Sequence, residues 1–218
     1  MKKIKTRDRI LQTSLALFNT VGEPNVTTLL ISDEMDISPG NLYYHFRNKD
    51  EIISELFQTF EADILEVLES PTEPGLDMMD YWMYVQLIFE KMWQYRFLYR
   101  DPITILERND RLQKKFNRIL DRKRAAARGV LLMMREETLI QIRDDDLERL
   151  ATNMLITATY WLNYQHLRNL GSQRGDCDLE TGIYQVFSHI SPYLPAAGQE
   201  MLAAVADTYL GAGDSALE

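Results

Sequence analysis

Residues 27–46 read TTLLISDEMDISPGNLYYHF. The spacing of Ile31, Met35, Ile37, Leu42 and Phe46 predicts two short helices around a tight turn, held at a fixed angle by those five inward side chains. Ser32 is small where the helices come close. Pro39, Gly40, Asn41, Tyr43, Tyr44 and His45 are left to point outward or sideways. An exposed face of tyrosines, an amide and an imidazole is unusual for plain solvation. It suits phosphate oxygens and the base edges of a groove, because hydroxyl and ring N–H groups donate to both. Gly40 has no side chain, so backbone can approach a duplex closely, and the start of the helix favours an anion. Tyr43 could equally be a packing residue. A metal is not expected at His45, which has no second ligand one helical turn away.

Helical periodicity dominates the rest of the chain, and no segment alternates like a strand. Thr6 is expected to cap a first helix bearing Ile10, Leu11, Leu15, Leu17, Phe18 and Val21, which Gly22 and Pro24 end. Thr27 or Thr28 opens the second helix, a break follows at Asp36, and Ser38-Pro39 reads as cap and first turn of the third. Asn48 and Glu51 form a capping box for a fourth helix reaching about residue 69. The run SPTEPG at 70–75 is the clearest breaker. Further helices are expected at 77–96, 102–108, 110–137, 145–170, 179–190 and 196–210, with Gly171 as a stop and residues 211–218 frayed. The fold class is therefore all-α. An N-terminal three-helix DNA-binding domain is expected over residues 1–50 and a helical body over 51–218.

The net charge is -9, which argues at first against nucleic acid. Its distribution reverses that argument. Lys2, Lys3, Lys5, Arg7 and Arg9 stand against Asp8 alone, so residues 1–9 carry +4. Residues 1–50 carry +1 and the remainder -10. A basic tip on an acidic body binds DNA locally and salt-sensitively. The single cysteine, Cys177, cannot staple the chain, which fits a reducing cytoplasm. No apolar run spans a bilayer, so neither a membrane nor a signal peptide is expected. There is no glycine-rich phosphate loop, HExxH, nucleophile elbow or paired cysteine, so neither catalysis nor a cofactor is expected.

The ordered run T-R-x-x-I-L, LF-x-x-x-G, TT and I-S-P-G-N-L-Y-Y-H-F-x-N-K-x-x-I, over roughly residues 6–53, resembles the N-terminal signature of TetR-family regulators. Residues 38–49 are its most specific part. The stretch YRFLYRD at 95–101 resembles a subgroup that includes regulators found beside polyhydroxyalkanoate gene clusters. The resemblance implies that the helix at 39–46 is a recognition helix. It implies DNA contacts at Thr28, Gly40, Asn41, Tyr43, Tyr44, His45 and Lys49, and Ser38 and Pro39 at the helix start belong to the same candidate site. Asp36 stands where the family usually has glycine, and Asp tolerates the left-handed conformation better than most residues. Ser32 replaces a usual alanine.

The implied function is a cytoplasmic repressor that binds a double-stranded operator as a homodimer and is released by a small hydrophobic or amphipathic effector. The alternatives are a helical interaction protein without DNA binding, or a ligand-independent or activating regulator. The dimer is expected to use the helix at 145–170, through Leu147, Leu150, Ala151, Met154, Ala158, Trp161 and Leu162, with a second helix after residue 179. Trp82, Phe89, Trp93, Phe97, Tyr160 and Trp161 are the candidate walls of an effector cavity, although rings at helical spacing also fill cores. Lys114, Lys115, Arg118, Arg122, Lys123, Arg124 and Arg128 read as a solvated helix face or as an entrance attracting an anionic ligand. His166 and His189 read as ordinary core or surface residues.

Overall fold

The computed structural model describes residues 5–69, 75–169 and 178–209. Lys2, Lys3, Gly171, Cys177, most of the 70–75 breaker and the 211–218 tail lie outside the described residues. Among the described residues all regular structure is helical. The helices are α1 (Thr6–Val21), α2 (Thr28–Glu34), α3 (Pro39–His45), α4 (Lys49–Leu68), α5 (Met78–Gln94) and α6 (Phe97–Arg100). After them come α7 (Pro102–Glu107), α8 (Asp110–Glu136), α9 (Asp144–Arg168), α10 (Leu179–Ser188) and α11 (Ala196–Tyr209). Single 3-10 turns occupy Glu23–Asn25 and Ser191–Tyr193.

The helix starts follow local chemistry. Thr27 accepts from the Leu30 N–H at 3.1 Å, Ser38 from Asn41 at 3.2 Å and Asn48 from Glu51 at 2.9 Å. The Glu51 carboxylate in turn accepts from the Arg47 N–H. Asp101 caps α7 ahead of Pro102, and Asp178 caps α10. Each satisfies a backbone donor that the helix itself leaves unpaired. Thr6 does not cap α1 as expected. It is the first helical residue, and Lys5 precedes it without a side-chain cap. Gly22 ends α1 at φ 90°, which a side chain would oppose.

Compactness divides the chain inside α4 and inside α8. The first unit contains residues up to Asp63 together with Tyr95–Lys115, so it takes in far more than residues 1–50. The reason lies in the aromatic stretch after α5, which the sequence reading left without an element. There α6 packs Phe97 on Phe18, with ring centroids 5.3 Å apart. The Phe97 N–H donates to the Asn19 side chain at 3.1 Å, and Arg100 donates to the Asn19 carbonyl. Phe60 meets Tyr95 and Tyr99 at 5.4 and 5.9 Å.

In the second unit α10 packs against α5 and α9. The core there includes Tyr81, Phe89, Leu131, Met134, Leu150, Met154, Ile183 and Phe187. This corrects the expected dimer stripe. Leu147, Leu150, Ala151, Met154 and Leu162 are buried inside the chain itself, and Ala158 and Trp161 pack partly buried beside them. The apolar residues that α9 exposes are Ile156, Tyr160, Tyr164 and Leu167, which share one face. Periodicity finds an apolar stripe, and the first thing a stripe covers is the chain's own core.

At Gly182 α10 comes close to its neighbours. A Cβ there would lie 2.5 Å from the Trp161 indole and 2.7 Å from the Phe89 ring. Neither ring can fold away as a flexible chain would. Gly182→Ala should therefore destabilise the protein by about 1–3 kcal/mol through overpacking, despite alanine's better helix propensity. Urea unfolding read by circular dichroism checks this, and an unchanged midpoint would show the contact to be soft.

Candidate nucleic-acid interface

The unit α2–turn–α3 is built as a wedge on α1. Ile31, Met35, Leu42 and Phe46 are buried, while Ile37 is only half-buried. Ser32 is fully buried and its hydroxyl donates to the Thr28 carbonyl at 2.9 Å, which leaves no polar loose end where α2 is covered. Asp36 carries the turn at φ 53°, in the left-handed region. The Ile37 N–H then reaches back to the Ser32 carbonyl at 3.1 Å. Arg7 lies with its guanidinium carbon 4.6 Å from the Phe46 ring centroid and pairs with Glu55, pinning α1 to the end of α3.

With Leu42 and Phe46 turned in, the helical period turns the intervening residues out. Pro39, Gly40, Asn41, Tyr43 and Tyr44 are exposed, and His45 is half-buried. Tyr44 stands out furthest, at 85% exposure, with its ring edge-on to His45 at 5.1 Å. The Tyr43 hydroxyl lies 2.9 Å from that of Thr28, so Tyr43 serves both packing and surface. Asn41, Tyr43 and Tyr44 are thus exposed on α3 with Gly40, Thr28 joins them through its contact with Tyr43, and Ser38 caps the helix start.

Lys49 is placed differently from the rest of the candidate set. Its ammonium turns onto Glu23, 2.8 Å from the carboxylate and 2.9 Å from the carbonyl. Arg108 reaches the same carboxylate at 2.9 Å and lies 3.7 Å from Asp50. The hydrogen bond to Glu23 raises the Arg108 pKa further above its already high value. Sequence reasoning missed both Glu23 and Arg108. They lie 85 residues apart, and neither carries a local motif.

Comparison with known proteins gives the arrangement its family. Residues 10–56 match the model described as bacterial regulatory proteins, tetR family, and residues 59–202 match the TetR bacterial transcriptional repressor model. The chain belongs to the TetR family of transcription regulators. It is similar to a TetR-family regulator from Marinobacter aquaeolei VT8, at 35% identity and a TM-score of 0.85, covering 94% of this chain and 99% of that one. Mycobacterium smegmatis AmtR shares the fold at 20% identity, a TM-score of 0.61 and 97% of each chain. The Escherichia coli K12 protein described as "Probable acrEF/envCD operon repressor" is 27% identical over 74 residues. That match covers 34% of this chain and only 33% of the E. coli protein. TetR regulators bind DNA operators and act as dimers. Among the described residues no helix is long and apolar enough to cross a membrane.

The six candidate effector-wall residues do not come together in this TetR-family chain. Phe97 belongs to the first unit, against Phe18. Trp82 stacks on Phe187 at 5.2 Å, and Trp93 is half-buried. Tyr160 is exposed, and the Trp161 indole donates to the Asp178 carbonyl at 3.0 Å. Trp82 lines a small cavity of the second unit, and Phe89 a larger one. Lys123, read from sequence as one charge of a solvated face or of an anion-attracting entrance, lines the latter too, buried on the inner face of α8. His189 sits 2.7 Å from the Thr157 hydroxyl, and burial lowers its pKa.

Two outcomes follow for the head. Asp36→Gly should raise stability by about 1 kcal/mol by relieving the left-handed turn, and Asp36→Val should lower it by a similar amount or more. Glu23→Gln should cost about 2 kcal/mol, because it leaves two cations around a neutral amide. Chemical denaturation of the three variants measures both effects. Equal midpoints for Glu23→Gln and wild type would show the cations to be held by solvent alone.

Proposed function

We propose that the chain is a homodimeric repressor whose two heads read a near-palindromic operator and whose body, on taking up a small molecule, releases it. The observation that carries this reading is the outward face of α3. Tyr44 and Asn41 lie in the open on a helix whose buried side is fixed by Leu42 and Phe46. A rigid helix presenting hydroxyl and amide groups fits the major groove, where the amide reads a base edge and the hydroxyls bind phosphate. Thr28, Ser38, Pro39, Gly40, Asn41, Tyr43, Tyr44 and His45 are the proposed contact set. Lys49 acts in it chiefly by holding the Glu23 turn to the start of α4.

One recognition helix reads too few bases to be selective, so two heads must act together about 34 Å apart, or a multiple of that. The exposed α9 residues Ile156, Tyr160, Tyr164 and Leu167 supply an apolar face for the second copy. α4 begins with Lys49 on Glu23 and carries Leu68, a cavity-lining residue, near its other end. A ligand that shifts α4 changes the spacing of the heads, provided that it binds the two states unequally.

The test is a mobility shift on the DNA flanking the gene, run over a salt series. Wild type should bind with steep salt dependence. Tyr44→Phe should lose about fivefold on every sequence, the worth of one hydrogen bond, whereas Asn41→Ala should flatten base preference. Wild-type behaviour of both variants would refute the contact set. For the dimer, Ile156→Asp combined with Tyr160→Asp should halve the mass seen in sedimentation and abolish tight operator binding. An unchanged mass would send the interface elsewhere.

A further inference from the structure

The 27-residue helix α8 is a basic element in an acidic chain. It carries nine lysines and arginines against three acids, in a protein whose net charge is -9. Leu112, Phe116, Ile119 and Lys123 turn inward. Arg111, Lys114, Arg118 and Arg122 follow one another at intervals of three and four, so they share one face. That face is the outward one, since all four are exposed. Other cations of α8 find acids: Lys115 meets Glu61, Arg128 meets Glu148 and Arg135 meets Asp144. Arg122 reaches Glu69 only at 3.8 Å, between two exposed side chains. Arg111, Lys114 and Arg118 form no ion pair among the described residues.

Like charges one turn apart repel and weaken the helix that carries them. An anion laid along the face removes that repulsion. The make-up of the face says which kind of anion. None of the exposed large apolar side chains lies on α8. A helix that lies on a lipid surface sets its cations beside apolar side chains that enter the bilayer. A protein interface buries an apolar or aromatic centre. A face of cations without either suits a polyanion of regular charge. The helical rise sets Arg111 and Arg122 about 16 Å apart along the axis. Duplex DNA bears one charge per about 1.7 Å of its own axis, so it offers a phosphate to each cation of the row.

The start of α8 also lies in the right part of the fold. Residues up to Lys115 belong to the same compact unit as the recognition helix. There Arg111 and Lys115 line a polar cleft together with Glu51, Ser54 and Gln58 of α4. The Glu51 carboxylate accepts from the N–H of Arg47, two residues beyond the end of α3. The cationic face thus begins beside the first turns of the helix that follows the recognition helix. We propose that the outward face of α8 binds duplex DNA beside the operator half-site, with Arg111, Lys114 and Arg118 on backbone phosphates. This rests on the operator reading above and adds to it a contact outside the helix-turn-helix. Phosphates carry no sequence, so the contact strengthens binding on any flank without reading its bases.

Trimming the DNA that flanks the gene gives the shortest duplex that the full chain still binds. A second duplex extends it by one helical turn, about 10 base pairs, at each end. Fluorescence anisotropy over a salt series compares the two. Wild type should hold the long duplex about tenfold more tightly, with a salt slope steeper by several units. The combined variant Arg111→Gln, Lys114→Gln, Arg118→Gln should lose both differences and bind the short duplex as wild type does. Its melting curve should match wild type, because the three side chains are exposed and unpaired. Arg111→Lys with Arg118→Lys keeps the charge and should keep the preference for the long duplex. Wild type that binds both duplexes equally overturns the proposal and leaves the operator reading standing. A triple glutamine variant that keeps the preference, or that weakens equally on both duplexes, overturns it as well. A changed mass of that variant in sedimentation would assign the face to contact between copies instead. Failure of wild type to bind any duplex removes the operator reading and this one together.

Discussion

A carboxylate that is 2% exposed must find opposite charge inside the fold, and Glu23 finds it in two places. Lys49 comes from the first residue of α4 and Arg108 from the residue after α7. Three chain segments that share no local sequence relation therefore meet at one group. The turn at Glu23–Asn25 separates α1 from α2, so fixing it fixes where α2 starts, and through the Ile31 and Leu42 packing where α3 lies. Neither cation is fully exposed, so the pairing is screened by water less than a surface bridge would be. The same group explains why residues 95–115 belong to the compact unit of the DNA-binding head. Arg108 holds one end of that segment, and Asn19, bonded to Phe97 and Arg100, holds the other.

The presentation of α3 follows from this frame. A seven-residue helix is too short to be stable alone. Ser38 and Pro39 start it, Leu42 and Phe46 bury it, and nothing remains for the other side chains but solvent or a ligand. Arg7 over Phe46, tied to Glu55, closes the far end. Burial gives no structural reason for a tyrosine as exposed as Tyr44, whose ring meets His45 edge-on. Tyr43 has one, since its hydroxyl meets that of Thr28, which also fixes how far the ring can swing.

What could be read from sequence was what local chemistry determines. Caps at Thr27, Ser38 and Asn48, the turn at Asp36 and the inward Ile31, Leu42 and Phe46 all follow from spacings of a few residues. The helix ends of the body fell within a few residues of the expected ones for the same reason. What could not be read depends on distant pairing. Nothing beside Glu23 announces Lys49 or Arg108. The α9 stripe at Leu147–Leu162 was visible as apolar, but periodicity does not say which partner covers it. Phe97 looked like the other large rings until α6 placed it on Phe18. Lys123 was legible in principle. Phe116, Ile119, Lys123, Ala127 and Val130 recur at intervals of three and four, so the lysine sits on the buried face of α8, a position its charged neighbours disguised.

That misplacement matters for how the body can work. The α5, α9 and α10 packing around Gly182 is closed by Trp161 and Phe89, and a methyl group would not fit there. One cavity in this unit is lined by Phe89 and, from α8, by Lys123, and a smaller one by Trp82 and Phe187. A core filled only by hydrocarbon gains stability from each contact and discriminates little between ligands. A core that carries a hydroxyl without a hydrogen-bond partner, as this one does at Tyr84, gives up part of that stability. The buried Tyr84 hydroxyl and Lys123, rather than the ring cluster, are therefore where this core departs from hydrocarbon packing.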